Sequence, residues 1–189
     1  MDLRVIIPVK PFAEAKQRLS PELNAIQRAQ LAERMFRHVI GVSATVFNAG
    51  NLLVVSRSPD VMAIAEAQGA LGLLEDSPFE LNSALSQAAQ VVQANGNSRV
   101  LVLASDLPLL EEHDLVDVTR SDCAIAPDRH RRGTNALLWS STLPFAFGEN
   151  SFARHLASAR AAGLDPQIVW RPGLAHDIDV PEDLIGARL

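Results

Sequence analysis

Apolar residues fall along the chain in short unbroken runs, separated by longer stretches with helical spacing. Val5-Ile6-Ile7, Leu52-Leu53-Val54-Val55 and Val100-Leu101-Val102-Leu103 contain no alternating polar positions. Both faces of such a run must be covered, as in the central strands of a parallel sheet. The pattern predicts strands at Arg4 to Val9, Asn51 to Ser56, Ala70 to Leu74, Arg99 to Ala104, Asp122 to Ala126, Asn135 to Trp139 and Gln167 to Trp170. Leu31, Met35, Val39 and Val42 keep the spacing of a core-facing helical stripe. Ser20-Pro21-Glu22 and Ser58-Pro59-Asp60 each offer an N-cap, a first-turn proline and an acid suited to the helix dipole. Gly69, Gly96 and Gly163 follow helical runs and suit C-terminal caps. Strands alternating with helices predict an α/β, Rossmann-like fold with a mostly parallel central sheet and helices on both faces. No repeat, low-complexity tract or linker divides the sequence, so a single domain over residues 1–189 is expected.

Composition narrows the partners. The 189 residues are 48% hydrophobic and carry a net charge of -5, enough apolar content for a sizeable core and no basic excess for a nucleic-acid partner. The N-terminal residues lead into a strand without the features of a secretory signal, and no apolar run approaches the roughly 18 residues of a membrane span. Cys123 has no second cysteine to pair with, and beside Ala124 and Ile125 it is expected as a small buried hydrophobe rather than a nucleophile. A cytoplasmic protein with no membrane partner is the expectation. The sequence leaves a homo-oligomer open.

In open parallel sheets ligands bind beyond the carboxyl ends of the strands. No GxxxxGK[ST] or GxGxxG occurs, and the first strand ends in Pro8-Val9-Lys10 without an Asp, which argues against P-loop NTPases, dinucleotide-binding dehydrogenases and phosphatases with an aspartyl nucleophile there. In "VLVLASDLPLL" the strand presents Asp106, placed either to hold a hard cation such as Mg²⁺ or to cap the next turn. In "AHDIDVPEDL", strand alternation would put Asp177 and Asp179 on one side and Ile178 in the core, with Glu182 and Asp183 as helix-dipole partners and His176 as a surface or turn residue. Arg129, Arg131 and Arg132 crowd one turn, either a setting for an anionic substrate or solvated charge. Ser151 reads as an N-cap, Gly148 permits close backbone approach, and a helix start there could receive phosphate or carboxylate.

The stretches "IPVKPFAEAKQRLSP", "ASDLPLL", "GTNALL", "FGENSF" and "HDIDVPEDL", in that order and spread over nearly the whole chain, resemble the CofC/FbiD guanylyltransferases of coenzyme F420 biosynthesis, within the MobA-like nucleotidyltransferases. The resemblance implies a nucleotidyltransferase fold and transfer of GMP from GTP to a small phosphorylated carboxylic acid with Mg²⁺. The acceptor would be phosphoenolpyruvate, 2-phospho-L-lactate or 3-phospho-D-glycerate, with phosphoenolpyruvate favoured. It also implies acceptor contacts at Thr134, Gly148 and Ser151, and metal ligands at Asp106, Asp177 and Asp179. Nucleotide contacts would be Lys10, Lys16, Arg18, Asn82 and Ser105, with Asp106 and Lys16 at the reacting phosphate. One departure is Glu80 in "FELNSAL", where the family usually has Gly. A MobA-like enzyme with a molybdopterin or sugar-phosphate acceptor, and a non-catalytic nucleotide-binding module, are the alternatives. The missing glycine-rich first loop argues against the former and the three aspartates against the latter.

Overall fold

The structure is a computed structural model that describes residues 3–75, 80–96 and 99–185. Seven strands form one sheet among the described residues, in the order β3-β2-β1-β4-β6-β5-β7. They are β1 (Leu3–Pro8), β2 (Leu52–Ser56), β3 (Leu71–Leu74), β4 (Arg99–Leu103), β5 (Ala124–Pro127), β6 (Thr134–Ser140) and β7 (Gln167–Ile168). The helices are α1 (Ala25–Phe47), α2 (Pro59–Ala67), α3 (Leu81–Ala94), α4 (Glu112–Val118), α5 (Ser151–Ala161) and the one-turn α6 (Pro172–Ala175). β1 pairs in parallel with β2 and β4, whereas β6 runs antiparallel to both β4 and β5. The expected mostly parallel sheet is therefore present, and the last predicted strand is shorter than Gln167 to Trp170.

Side-chain alternation divides the core into two layers. Val5, Ile7, Val54, Leu101 and Leu103 pack with Phe36 and Val39 of α1 on one face. Ile6, Val55, Val102, Leu137 and Trp139 pack with Leu85 of α3 and Ala159 of α5 on the other. Each central strand thus supplies both layers, which is why its sequence lacks polar alternation.

Helix boundaries follow the predicted punctuation except at the starts of α1 and α5. Ser58 and Pro59 begin α2, and Gly69, Gly96 and Gly163 follow α2, α3 and α5 with the positive φ of a C-terminal cap. Ser20, however, is not the cap of α1. Leu19 is fully buried, and the N–H groups of Glu22 and Leu23 both donate to its carbonyl, so the chain turns once more before the helix. Asn24 caps α1 instead: its side chain accepts from Gln27 N at 3.0 Å, and the Gln27 side chain accepts from Asn24 N at 2.9 Å. Replacing Asn24 with Ala should cost about 1 kcal/mol in urea unfolding, whereas Ser20→Ala should change stability by less than about 0.5 kcal/mol. The reverse order would contradict this placement of the helix start.

Candidate functional site

The carboxyl ends of β1 and β4 lie side by side because the two strands pair in parallel, Ile6 opposite Val102. Antiparallel β6 begins at that same edge, with Ala104 N donating to Asn135 O at 2.8 Å. Segments distant in sequence thereby meet: the loop after Pro8, the loop after Leu103, and Thr134-Asn135.

The loop after β1 makes two 3-10 turns, Phe12–Glu14 and Gln17–Leu19, with Lys16 between them at φ 54°, ψ 37°. Phe12 packs against Phe36, and Leu19 packs with Leu31, Met35 and Ile178, so both sides of Lys16 are anchored in the core. This anchoring holds a non-glycine residue in the left-handed region, which its backbone would otherwise avoid. The Lys16 ammonium donates to Asp106 and, at 3.3 Å, to Asp179, with its side chain only 8% exposed. Burial alone would lower its pKa, but the charges and hydrogen bonds of the two aspartates outweigh that and raise it.

Asp177 and Asp179 follow α6 in a segment that is not a strand, yet Ile178 is buried between them and both carboxylates face the same cavity. Asp177 accepts from Asn135 Nδ2 at 3.1 Å, and Asn135 also donates to Leu174 O at 2.9 Å. Burial, then the charge of Asp106 and, less, of Asp179, raises the pKa of Asp177, while the Asn135 hydrogen bond opposes the rise. Asp179 also pairs with exposed Arg18 at 3.2 Å. Asp183 is more than a dipole partner: its carboxylate accepts from the N–H groups of Asp179 (2.6 Å) and Val180 (2.9 Å) and pairs with Arg129.

Two adjoining cavities share Thr134, Asn135, Asp177 and Asp179 in their walls. The smaller, of about 270 Å³, is lined by Lys10, Lys16, Ser105 and Asp106. The larger, of about 1050 Å³, is lined by Arg18, Arg132, Gly148 and Ser151. Gly148 has φ +112°, where a side chain would be strained. Asn150, in a left-handed conformation, takes the N-cap position of α5, correcting the reading of Ser151 as the cap. Ser151 is the first helical residue, buried, with its hydroxyl directed to Thr134 Oγ1 at 3.4 Å. The N–H groups of Ser151 and Phe152 donate to Gly148 O and Arg132 O, so the helix start offers an anion fewer donors than the sequence suggests. The arginine turn divides its charges: Arg129 pairs with Asp183, Arg131 lies 5.0 Å over the Trp170 ring, and Arg132 lines the larger cavity.

The profile of the family described as "Guanylyl transferase CofC like" matches residues 3–187. The chain belongs to this family. The phosphoenolpyruvate guanylyltransferase of Rubrobacter xylanophilus is 40% identical over 198 residues, covering 100% of this chain and 94% of the relative. The 2-phospho-L-lactate guanylyltransferase of Methanothermobacter thermautotrophicus is 36% identical, covering 95% and 81%. A solved nucleotidyl transferase from Methanothermobacter shares the fold at TM-score 0.62 and 14% identity, covering 97% and 94%.

Most residues that the CofC resemblance singles out thus line the two cavities, and Asn82 is the exception. Its amide is bonded in both directions to the Phe147 backbone, donating to O at 3.1 Å and accepting from N at 2.8 Å, so it reaches the site through Phe147, which lines both cavities. Glu80, in place of the family glycine, is extended at φ −129°, a conformation open to any residue. Cys123 is buried as expected, and that burial raises its pKa. Asn135, inside "GTNALL", and His155 also belong to the site, and for His155 only the tertiary structure reveals the surroundings.

Among the described residues no three acidic, His or Cys side chains form a ready metal cage. Carboxylates at a cavity wall, with burial and then the charge of Asp106 raising the pKa of Asp177, still suit Mg²⁺, which usually takes one or two carboxylates and completes its shell with water and phosphate. The raised pKa has a thermodynamic signature. A carboxyl with a raised folded pKa binds its proton more tightly when folded, so the associated stability is full below the ordinary value of 3.8 and is lost as pH rises through the folded value. Asp177→Asn should therefore melt higher than wild type at pH 7 and converge on it below pH about 4. Equal melting temperatures at pH 7 would contradict the raised pKa.

Proposed function

We propose that this protein transfers GMP from GTP to phosphoenolpyruvate with release of pyrophosphate, as a step of coenzyme F420 biosynthesis. The observation that carries the reading is the pair of joined cavities around one carboxylate set. The Lys16, Asp106 and Asp179 cluster suits a nucleotide triphosphate, and the adjoining Thr134, Gly148 and Ser151 wall suits a small anionic acceptor. Membership of the CofC family supports guanylyl transfer, and the name of the Rubrobacter relative favours phosphoenolpyruvate.

The acceptor phosphate has a second pKa near about 6 and is mostly dianionic at neutral pH, so no general base is needed. One of its oxygens bonds to the α-phosphorus of GTP while the bond from that phosphorus to the bridging oxygen of the β-phosphate breaks, and pyrophosphate leaves with the electron pair. This chain's residues contribute positioning and charge. Lys16 is held at the cavity wall, Lys10 lines the same cavity and Arg18 the next, so their charges face the phosphates on which the leaving group's charge grows. Asp106 with Asp177 or Asp179 would hold Mg²⁺, which when bound neutralises phosphate charge. Lys16, held by Asp106 and Asp179, can exchange a carboxylate partner for a phosphate oxygen.

With Mg²⁺ present, GTP and phosphoenolpyruvate should release pyrophosphate faster than GTP with 2-phospho-L-lactate or 3-phospho-D-glycerate, and faster than ATP with any of the three. Asp106→Asn should lower turnover by on the order of 100-fold with little change in melting temperature, because Lys16 keeps Asp179 as a partner. No turnover with any of the three acids would sink the proposal.

A further inference from the structure

His155 of α5 is fully buried, edge-on to the rings of Trp139 and Phe147 at centroid distances of 5.3 and 4.6 Å. It makes two polar contacts. Ala146 N lies 3.0 Å from Nε2, and Thr134 Oγ1 lies 3.0 Å from Nδ1. A backbone N–H can only donate, so Nε2 must present its lone pair. Burial, and secondarily the charge of Arg154, lowers the pKa of the ring to about 4, so it is neutral at physiological pH. The single ring proton therefore sits on Nδ1 and is donated to Thr134 Oγ1. Ser151 Oγ donates to the same oxygen at 3.4 Å. Thr134 Oγ1 thus receives hydrogen bonds from both neighbours, and its own proton can be directed only elsewhere, toward the cavities that Thr134 lines.

We infer that His155 is a positioning residue: as a fixed Nδ1–H tautomer it makes the Thr134 hydroxyl an obligatory donor to the anionic group of the acceptor. The inference rests on the assignment of the Thr134, Gly148 and Ser151 wall to that acceptor. The two donors to Thr134 differ in strength. The His155 contact has ordinary length, whereas the Ser151 contact is long for two hydroxyls, so Ser151 can swing to a ligand while His155 continues to orient Thr134. The chain of polarity runs from the Ala146 backbone through the imidazole to the Thr134 hydroxyl. A protonated ring would reverse its first link, turning an Nε2–H against the Ala146 N–H.

Two measurements test the inference. In ¹⁵N NMR of the ligand-free wild type at pH 7, the His155 ring should show a protonated Nδ1 and a bare Nε2; the opposite tautomer or an imidazolium would overturn it, whatever the substrate. In steady-state kinetics, His155→Phe keeps the ring packing but removes both nitrogens. It should raise KM for phosphoenolpyruvate about tenfold while leaving kcat and KM for GTP within about twofold. Thr134→Val should reproduce the effect, and the double variant should be no worse than either single one. His155→Asn, whose amide nitrogen can stand where Nδ1 stood, should recover part of the loss. Additive losses, an equal rise in both KM values, or no recovery in a folded His155→Asn would overturn the donor role. If His155→Phe does not fold, Thr134→Val and the ring spectrum still decide. If the wild type turns over none of the phospho-acids, the acceptor assignment fails by itself. Titration with inorganic phosphate then replaces KM: the His155 ring signals should shift in wild type and not in Thr134→Val, and no shift in wild type would overturn the inference.

Discussion

The buried ammonium of Lys16 lets carboxylates from distant segments of the chain share one wall. Asp106 follows β4 and Asp179 lies near the C-terminal end of the described chain, and both face Lys16 Nζ. Carboxylates so placed repel one another, and the pKa of Asp177 is raised by its burial first and by the charges of Asp106 and Asp179 after that. The pairing is also what makes burial of Lys16 tolerable, because a buried ammonium without a partner would lose its proton. Charge balance and chain path are therefore one problem: the aspartates can converge only where the first loop delivers a cation.

The sheet solves the path problem through one antiparallel strand. Were β6 parallel to β4, its first residues would lie at the opposite edge, and Thr134 and Asn135 would be a full strand length from Asp106. Reversal places them beside Ala104. Asn135 then binds Leu174 O and Asp177 together, fixing the approach of the C-terminal segment, and Asp183 fixes the next turn by accepting from Asp179 N and Val180 N. Much of the site's polar bonding thus holds backbone in place, leaving fewer groups to meet ligand.

The same distinction explains what could be read from the sequence. The central strands were legible because burial on both faces leaves an unbroken apolar run, and Asp106, Asp177 and Asp179 were legible because each stands just past such a run or beside a core residue such as Ile178. Helix starts were less so: Ser20-Pro21-Glu22 and Asn24 both carry capping chemistry, and only the burial of Leu19, a tertiary fact, moves the start to Asn24. Ser151 reads as a cap in the sequence because the left-handed Asn150 that takes the position leaves no local signal. His155 was invisible because a histidine inside a helix acquires a tautomer only from partners far along the chain, here Thr134 on β6 and the Ala146 backbone.

The absence of glycine from the first loop follows from how its backbone is used. Val9 N donates to Val55 O, and the N–H groups of Glu14, Ala15, Leu19 and Ser20 donate to carbonyls within the two 3-10 turns. A glycine-rich loop recognises phosphate by pointing such groups outward, whereas these five are occupied in holding the loop's own fold. The turns are what aim the loop's buried cation: Lys16 takes the left-handed hinge between the two, at a cost of roughly 1 kcal/mol or more. Glycine would relieve that strain and remove the ammonium with it. The strained backbone and the side-chain cation are alternatives to one glycine cradle, and the buried anchors Phe12 and Leu19 keep the hinge in place.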